Sequence, residues 1–242
     1  MKLLSIDVGI KNLAYCVLEK TDSVKIHHWG IIDLFDSVSE NLPKCCNVLR
    51  TGKTCASLAN CHLTKTGDDS VSLYYCKKTT CSKKAESTIK LGGFIKKNLK
   101  KIDTKSFSLQ DYGQAIQKAL DNREIEWSGV DEVIIENQPV LKNPTMKSIQ
   151  MMVYSYFIYF GVSCGKVGNI QLCSATNKLN KLPAIPEVKV EKGTYDQRKE
   201  SSILYTRHMI KDWSEWRDFF EKHSKKDDLA DSFLQGLYIL SK

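Results

Sequence analysis

The chain has 242 residues and a mass of 27.5 kDa, enough for one α/β domain with a sizeable insertion. Hydrophobic residues make up 42% of it, a composition that excludes a globally disordered protein. The formal net charge of +8 favours a polyanionic partner, because basic side chains that neutralise phosphates release counterions. Charge alone leaves nucleic acid as only one of the options.

No segment of the sequence is typical of a targeting signal or a membrane anchor. The N-terminal apolar run is too short for a signal peptide, and Asp7 interrupts it. The longest apolar run, residues 151–162, falls short of the about 20 residues that span a bilayer and predicts a buried helix. We therefore expect an intracellular, unsecreted protein with no membrane partner. Its nine cysteines are then reduced, and their clustering favours metal ligation over disulfides.

Three apolar segments at the N-terminus predict an antiparallel β-meander: residues 3–8, 13–18 and 24–32. Residues 43–84 then change character, since they hold six of the nine cysteines and show little apolar periodicity. A lysine-rich run follows, part of it predicted as helix. The sequence therefore predicts a small Cys-rich module with a basic linker, residues 43–105, inserted into a domain formed by residues 1–42 and 106–242.

The globular pattern resumes near residue 109. Helices are predicted at residues 109–122, 143–160 and 225–240, strands at 130–136 and 170–174, and a loop at 181–195. Strands followed by alternating helices and strands predict a mixed α/β sheet.

Four carboxylates are candidate metal ligands. Asp7 lies inside the first apolar strand, where a charge is costly unless it is paired or binds a metal. Glu136 ends the apolar run VIIE, and Asp228 and Asp231 share one face of the last helix. Mg²⁺ prefers such oxygen ligands, and two ions about 3.5–4 Å apart hydrolyse phosphodiesters. The structural alternatives are a solvated strand end for Glu136 and charges favoured by the helix dipole for the aspartates.

Four segments, in this order, resemble the poxvirus-type Holliday-junction resolvases: SIDVGIKNLAY, VIIENQPV, SATNKL and KKDDLADSFLQG. Those enzymes are relatives of bacterial RuvC and of the fungal mitochondrial resolvases. The resemblance covers residues 1–35 and 107–242. It implies an RNase H-like mixed five-stranded sheet flanked by helices, with the Cys-rich module as an addition.

The resemblance also assigns roles to individual residues. The family's metal-binding acids fall on Asp7, Glu136, Asp228 and Asp231, which would hold two Mg²⁺ or Mn²⁺ ions. Lys178 in SATNKL matches the catalytic lysine, which steadies the scissile phosphate or the developing charge, and Lys181 is a competing choice. Asn12 and Gln138 are expected to support the site or contact phosphate.

The implied activity is symmetric nicking of four-way DNA junctions by a homodimer, in viral-type recombination and replication. A dimer suits that substrate, since two-fold symmetry places two sites on opposing strands. The apolar helix at residues 147–160 is the candidate dimer interface, and an ordinary core helix is the alternative. The compartment stays open between the cytoplasm, as a viral factory, and the nucleus.

The Cys-rich module is the departure from the family's compact members. Its dense reduced cysteines predict one tetrahedral Zn²⁺ site, with Cys46, Cys55, Cys76 and Cys81 as preferred ligands and Cys45, Cys61 or His62 as substitutes. We expect no apolar core in the module, so that it needs metal to fold. DNA contacts are predicted for Lys96, Lys97, Lys100 and Lys101. A solvated helix face is the alternative for these lysines.

Three other functions compete with junction resolution. The DxGxxN pattern of Asp7, Gly9 and Asn12 also resembles the first phosphate motif of sugar-kinase and actin-like ATPases, although the sequence shows no second phosphate loop or adenosine motif. A general RNase H-like nuclease would act on branched DNA or RNA/DNA hybrids. A non-catalytic DNA-binding protein would keep the fold without the chemistry.

Overall fold

The computed structural model describes residues 1–35, 42–99, 107–141, 143–174, 185 and 195–241. The chain divides into two compact units, Met1–Leu34 with Ser108–Lys242, and Phe35–Phe107. The module predicted at residues 43–105 falls inside the second unit. The predicted loop at residues 181–195 lies outside the described residues except for Ile185 and Tyr195, and Ile185 is buried in the core of the first unit.

The secondary structure alternates short strands with helices of moderate length. The strands are β1 (Lys2–Val8), β2 (Asn12–Lys20), β3 (Val24–Asp33), β4 (Cys61–Lys65), β5 (Asp68–Tyr75), β6 (Phe94–Asn98), β7 (Val130–Glu136) and β8 (Val167–Cys173). The α-helices are α1 (Thr79–Lys90), α2 (Leu109–Asp121), α3 (Glu124–Trp127), α4 (Pro144–Tyr156), α5 (Tyr195–Met209), α6 (Ser214–Lys222) and α7 (Lys226–Leu240). Across the described ranges, none of these helices is both long and apolar enough to cross a membrane.

The first unit is built on a five-stranded sheet in the order β3-β2-β1-β7-β8. The first three strands pair antiparallel, as the predicted meander requires, and β7 and β8 run parallel to β1. This confirms the predicted mixed five-stranded sheet. The apolar run VIIE lies in β7, between β1 and β8, and its residues Val133, Ile134 and Ile135 are fully buried.

Helix boundaries follow local capping signals. Ser108 and Asp111 form a capping box at the start of α2, whose buried residues Tyr112, Ile116 and Leu120 recur every fourth position. The Oδ1 atom of Asn143 accepts a hydrogen bond from the Met146 backbone N at the start of α4. The sequence predicts one α-helix from residue 143 to 160. Instead, α4 ends at Tyr156 and continues as a π-helical segment, Phe157–Val162.

Helix α7 packs directly on the sheet through a buried apolar stripe that includes Leu229, Phe233 and Leu237. Gly236 permits the close approach, since a Cβ atom there would lie 2.5 Å from a Leu18 methyl carbon. The indole N–H of Trp29 donates to the Leu229 carbonyl at 3.1 Å. The helix is therefore held at a fixed height above the strands.

The second unit contains a three-stranded antiparallel sheet, β5-β4-β6. Leu63, Tyr75 and Ala85 are buried together, with Leu73, Ile89 and Phe94 packed around them. The expectation that this module has no apolar core was therefore wrong. Strands of five to eight residues bury only a few apolar side chains each, too few to show a periodicity in the sequence. Residues 94–98 of the lysine-rich run form a strand, not a helix.

Candidate functional site

Asp7 lies one residue before the end of β1, and Glu136 ends the neighbouring strand β7. Strands β1 and β7 are parallel, and the last pair in their register is Ile6 with Ile135. The next residue of each strand is the carboxylate, so Asp7 and Glu136 occupy adjacent positions at the same edge of the sheet. Both are partly buried, as expected for charged groups that close an apolar strand.

Two contacts fix the direction of α7 relative to these strands. The Gln235 side-chain N–H donates to the carbonyls of Ile6 (3.3 Å) and Ile134 (3.4 Å), between β1 and β7. At the other end of the sheet, the Lys20 ammonium donates to the Leu240 carbonyl at 2.6 Å. Helix α7 is therefore antiparallel to β1. Its C-terminus lies near the start of β1, and its N-terminus lies toward the end of β1.

This direction brings the aspartates of α7 to the same edge. Asp231 lies one helical turn before Gln235, on the side that faces β1 and β7, and Asp228 lies about one turn further. The two strands and the helix therefore direct all four predicted carboxylates toward the edge where β1 and β7 end.

The first turn of α7 concentrates negative charge. Burial, and then the neighbouring Asp227 carboxylate, raise the pKa of Asp228 above its usual range, while Lys225 and Lys199 oppose that shift. Burial also acts on Asp227, but its ion pair with Lys199 (Nζ to Oδ2, 2.5 Å) prevails and lowers the pKa of that carboxyl. Lys199 is on α5. This pair was not predicted, because only the fold brings α5 beside α7.

Gln138 supports Glu136. Its side-chain N–H lies 3.4 Å from the Glu136 Oε2 atom and 3.4 Å from the Val8 carbonyl, and its backbone N–H donates to the buried Gln150 side chain at 2.8 Å. The predicted supporting position of Gln138 therefore rests on contacts to both strand ends. Gln150 was missed, because an amide inside an apolar helix carries no distinctive sequence signal.

Asn12 begins β2, directly after the turn that follows Asp7. The Gly9 backbone N–H donates to the Asn12 carbonyl at 2.9 Å, and a Cβ atom at Gly9 would lie 2.8 Å from that oxygen. The glycine therefore permits the tight return of the chain beside Asp7. The other predicted lysines, Lys178, Lys181, Lys100 and Lys101, lie outside the described residues, whereas Lys96 and Lys97 are exposed on β6.

The donor set at the sheet edge fits a hard divalent cation. It consists of carboxylate oxygens only, the ligands that Mg²⁺ and Mn²⁺ prefer. Burial and the neighbouring Asp227 carboxylate raise the pKa of Asp228, and a bound cation would lower it.

The second unit holds a separate cluster of four cysteines, Cys45, Cys55, Cys76 and Cys81, whose sulfur atoms all lie within 4.8 Å of one another. The sulfurs of Cys55 and Cys76 are 3.8 Å apart. Four thiolates on a tetrahedron with zinc–sulfur bonds of about 2.3 Å are about 3.8 Å apart. The cluster therefore has the dimensions of a tetrahedral metal site.

Cys45 takes the place that the preferred ligand set gave to Cys46. Cys45 is 1% exposed and belongs to the cluster, whereas Cys46 is exposed and does not. In extended chain, neighbouring side chains point to opposite sides, so only one of the two can face the cluster. Of the other substitutes, Cys61 is buried against the Tyr75 carbonyl and His62 contacts Tyr74.

The thiols of the cluster differ in acidity. Burial raises the pKa of Cys45 to about 12. Hydrogen bonding with the Ser57 side chain, and then with its backbone, lowers the pKa of Cys55 to about 6. Metals bind the thiolate form, so Cys55 offers the first ligand and a bound cation would draw the proton from Cys45.

Two family models each match more than half of the chain. The model described as mitochondrial resolvase Ydc2 / RNA splicing MRS1 matches residues 3–140, and the model described as poxvirus A22 protein matches residues 83–242. The chain belongs to these resolvase families. The membership confirms the predicted resemblance and leaves the actin-like ATPase alternative without support.

Individual relatives are distant. An uncharacterised protein, L451 of Acanthamoeba polyphaga mimivirus, is 29% identical over 99% of this chain and 74% of its own length. The yeast mitochondrial Holliday junction resolvase Ydc2 is 14% identical, with 98% of this chain and 77% of that chain covered and a TM-score of 0.49. The fowlpox virus Holliday junction resolvase is 16% identical, with 100% of this chain and 98% of that chain covered and a TM-score of 0.49. The family assignment therefore rests on the two family models.

Proposed function

We propose that this resolvase-family protein is a Mg²⁺- or Mn²⁺-dependent endonuclease that cuts opposing strands of four-way DNA junctions. The observation that carries the proposal is the adjacent placement of Asp7 and Glu136 at one edge of the sheet, with Asp228 and Asp231 on the helix that runs toward that edge. Family membership supports the substrate class, since one of the two matching models is described as a mitochondrial resolvase.

Each residue has a distinct task in the proposed reaction. Two cations, when bound, would activate water and stabilise the leaving oxygen of the phosphodiester. Asp7 and Glu136 would hold them from the sheet, and the α7 aspartates from above. Gln138 keeps the Glu136 carboxylate oriented, and the Lys199–Asp227 pair fixes the first turn of α7. Lys178 remains our candidate for the group that steadies the scissile phosphate.

The protein is proposed to act as a homodimer through α4 and its π-helical extension. Three large side chains there are exposed: Met151 (42%), Tyr159 (66%) and Phe160 (43%). They line an open groove of about 720 Å³ between α2 and α4. A two-fold axis through this surface would give two active sites for the two opposing strands of a junction.

The cysteine cluster is proposed to hold one structural Zn²⁺ through Cys45, Cys55, Cys76 and Cys81. Four thiolates complete the tetrahedron and leave no open position, which is the arrangement of structural rather than catalytic zinc. The cluster joins the segment before β4 to the end of β5 and to the first turns of α1. Zinc would therefore tie together the parts of a unit whose apolar core is small.

One panel of substrates tests the proposed activity. The purified protein, with Mg²⁺ or Mn²⁺, is incubated with a four-way junction, a Y-fork, a linear duplex and an RNA/DNA hybrid. We expect paired, ligatable nicks on the junction alone. Cleavage mainly of the hybrid would instead favour a general RNase H-like nuclease.

The substitution Asp7→Asn tests the site itself. It is expected to lower junction cleavage by roughly 100-fold or more while junction affinity changes little, because it removes a cation ligand and keeps the side-chain volume. Asp22→Asn, in the exposed turn between β2 and β3, removes one carboxylate elsewhere and is the matched control. Cleavage that persists in Asp7→Asn would refute the assignment.

A further inference from the structure

The net charge of the chain lies entirely in the second unit. Phe35–Phe107 contains 14 Lys and Arg against 6 Asp and Glu, whereas the rest of the chain contains 22 of each. The sheet that carries the carboxylate site therefore belongs to a unit with no net charge, and the +8 of the protein sits on the insertion. A small unit with this charge attracts polyanions independently of the catalytic acids.

The register of the three-stranded sheet assigns its side chains to two faces. Residues directly opposite in an antiparallel ladder share a face. Leu63 pairs with Leu73, and Cys61 with Tyr75; these residues form the core with Ala85 and Ile89 of α1. The helix therefore covers one face of the sheet.

The other face carries different chemistry, and we name it the open face. It comprises His62 and Thr64 on the central strand β4, Ser72 and Tyr74 on β5, and Ile95 and Lys97 on β6. Thr64 at its centre is 8% exposed and forms the floor. His62 and Tyr74 are partly exposed, Ile95 is 55% exposed and Lys97 is exposed.

Two rings lie side by side on this face. His62 is directly opposite Tyr74, with ring centroids 5.8 Å apart and planes tilted by 46°. On its other side, His62 is directly opposite Lys97. Aromatic rings next to a cation are the combination on which unpaired bases stack while the phosphates are neutralised.

The position of Tyr74 is fixed from outside the sheet. The Cys46 backbone N–H donates to the Tyr74 carbonyl at 2.9 Å, and the Asn60 backbone N–H donates to the Tyr75 carbonyl at 2.8 Å. Strand β5 is therefore bonded on both sides near its C-terminal end. A ring held on such a strand loses little freedom when a base stacks on it.

We propose that the open face of the insertion binds single-stranded nucleic acid. Bases stack on Tyr74 and His62, and Lys97 neutralises the adjacent phosphate. The bases inside a duplex cannot use the rings in this way, because they are already stacked on one another on both faces. An acidic peptide would meet the same charge but would not depend on an aromatic ring. The proposal goes beyond the nuclease activity, since it requires no cleavage and none of the four carboxylates.

The test measures binding by fluorescence anisotropy with the full-length Asp7→Asn protein and no added Mg²⁺. The probes are labelled 15-nucleotide oligo-dT and oligo-rU, a duplex of equal length and a polyglutamate peptide. Tyr74→Ala is expected to weaken oligo-dT and oligo-rU binding about 10-fold, whereas Tyr74→Phe stays within about twofold, because the stacking surface remains. Duplex binding is expected to change by less than about twofold in both variants.

A pair of lysine variants separates a local contact from general attraction. Lys97→Gln is expected to weaken oligo-dT binding and to reduce the slope of log affinity against log salt by about 0.7, the value for one phosphate contact on a single strand. Lys90→Gln removes the same charge from the exposed end of α1, behind the sheet, and is expected to leave the slope unchanged.

Three results would overturn the proposal. Unchanged oligonucleotide affinity in Tyr74→Ala means that no base stacks there. Equal changes of the salt slope in Lys97→Gln and Lys90→Gln mean that the oligonucleotide is attracted by the overall charge and not by a local contact. A loss of polyglutamate binding in Tyr74→Ala as large as the loss of oligonucleotide binding means that the face binds peptides. Junction cleavage by the wild-type protein is scored separately, so failure of the nuclease proposal and failure of this one are distinguishable.

Discussion

Asp228, a proposed cation ligand, is expected to destabilise the metal-free folded protein when its carboxylate is charged. Its partly buried carboxylate lies beside Asp227, and both the burial and that charge raise its pKa. A raised pKa means that the folded protein binds the proton more tightly than the unfolded chain does. The stability from this group is then present at low pH and is lost as pH rises through the raised pKa.

Asp228→Asn is therefore expected to stabilise the metal-free protein at neutral pH while it abolishes cleavage. The amide removes a charge that the fold disfavours, and we expect a Tm increase of roughly 2 °C above the wild type, a gain that shrinks as pH falls. Differential scanning fluorimetry at several pH values measures it. Added Mg²⁺ should raise the wild-type Tm more than that of the variant; a variant less stable than the metal-free wild type would contradict this account.

The choice between Cys45 and Cys46 is a second question at the residue scale. Cys45→Ser removes a member of the cluster and is expected to lower the zinc content from about one per chain to far less, with loss of thermal stability in the insertion. Cys46→Ser changes the same atoms at the exposed neighbour and should keep the metal. Elemental analysis of the two purified variants decides the assignment, and zinc loss from Cys46→Ser would reverse it.

At the scale of elements, the sequence predicted the strands and helices of the first unit well. Strands β1, β2 and β7 are central and apolar, and α2 carries a capping box with a clear four-residue period. The insertion was predicted poorly. Each of its short strands buries side chains on one face only. The core residues Leu63, Tyr75 and Phe94 are also far apart in the sequence, so no local pattern indicates that they share a core. The π-helical end of α4 left no sequence signal that we recognised.

The exposed surface of α4 gives a prediction about assembly. Tyr159→Asp combined with Phe160→Asp places two charges on the proposed dimer interface and is expected to convert a dimer into a monomer, because a desolvated charge is costly. Val140→Asp, at a position 60% exposed before α4, is the control and should stay dimeric. Sedimentation equilibrium distinguishes the two, and a double variant that still dimerises would place the interface elsewhere.

At the scale of the whole molecule, the excess of basic over acidic residues lies in one of the two units. The carboxylate edge lies in the unit without net charge, and the insertion carries the full +8. This division predicts that affinity for DNA and the chemistry of cleavage respond to different substitutions.

Neutralising Lys96, Lys97, Lys100 and Lys101 to Gln together is therefore expected to flatten the salt dependence of junction binding. Each lost phosphate contact lowers the slope by about 0.9 for duplex DNA, and the cleavage rate at saturating protein should change little. The slope is measured by anisotropy between low and physiological salt, with the wild type as reference. An unchanged slope would remove these lysines from the DNA contact.

The sequence by itself predicted the composition of the proposed cation site. The pattern is an aspartate inside an apolar strand, a glutamate at a strand end and two aspartates on one helical face. It indicates a cation site, because burying these carboxylates or placing them side by side costs free energy unless a cation neutralises them. The tertiary structure alone decided what depends on side-chain direction and on pairing over long distance. Cys45 rather than Cys46, the Lys199–Asp227 pair and the separation of Lys97 from the helix-covered face are all of this kind. Cys45 and Cys46, for example, are chemically identical in the sequence. Only the elements that pack against an extended segment determine which of two neighbouring side chains contacts a partner.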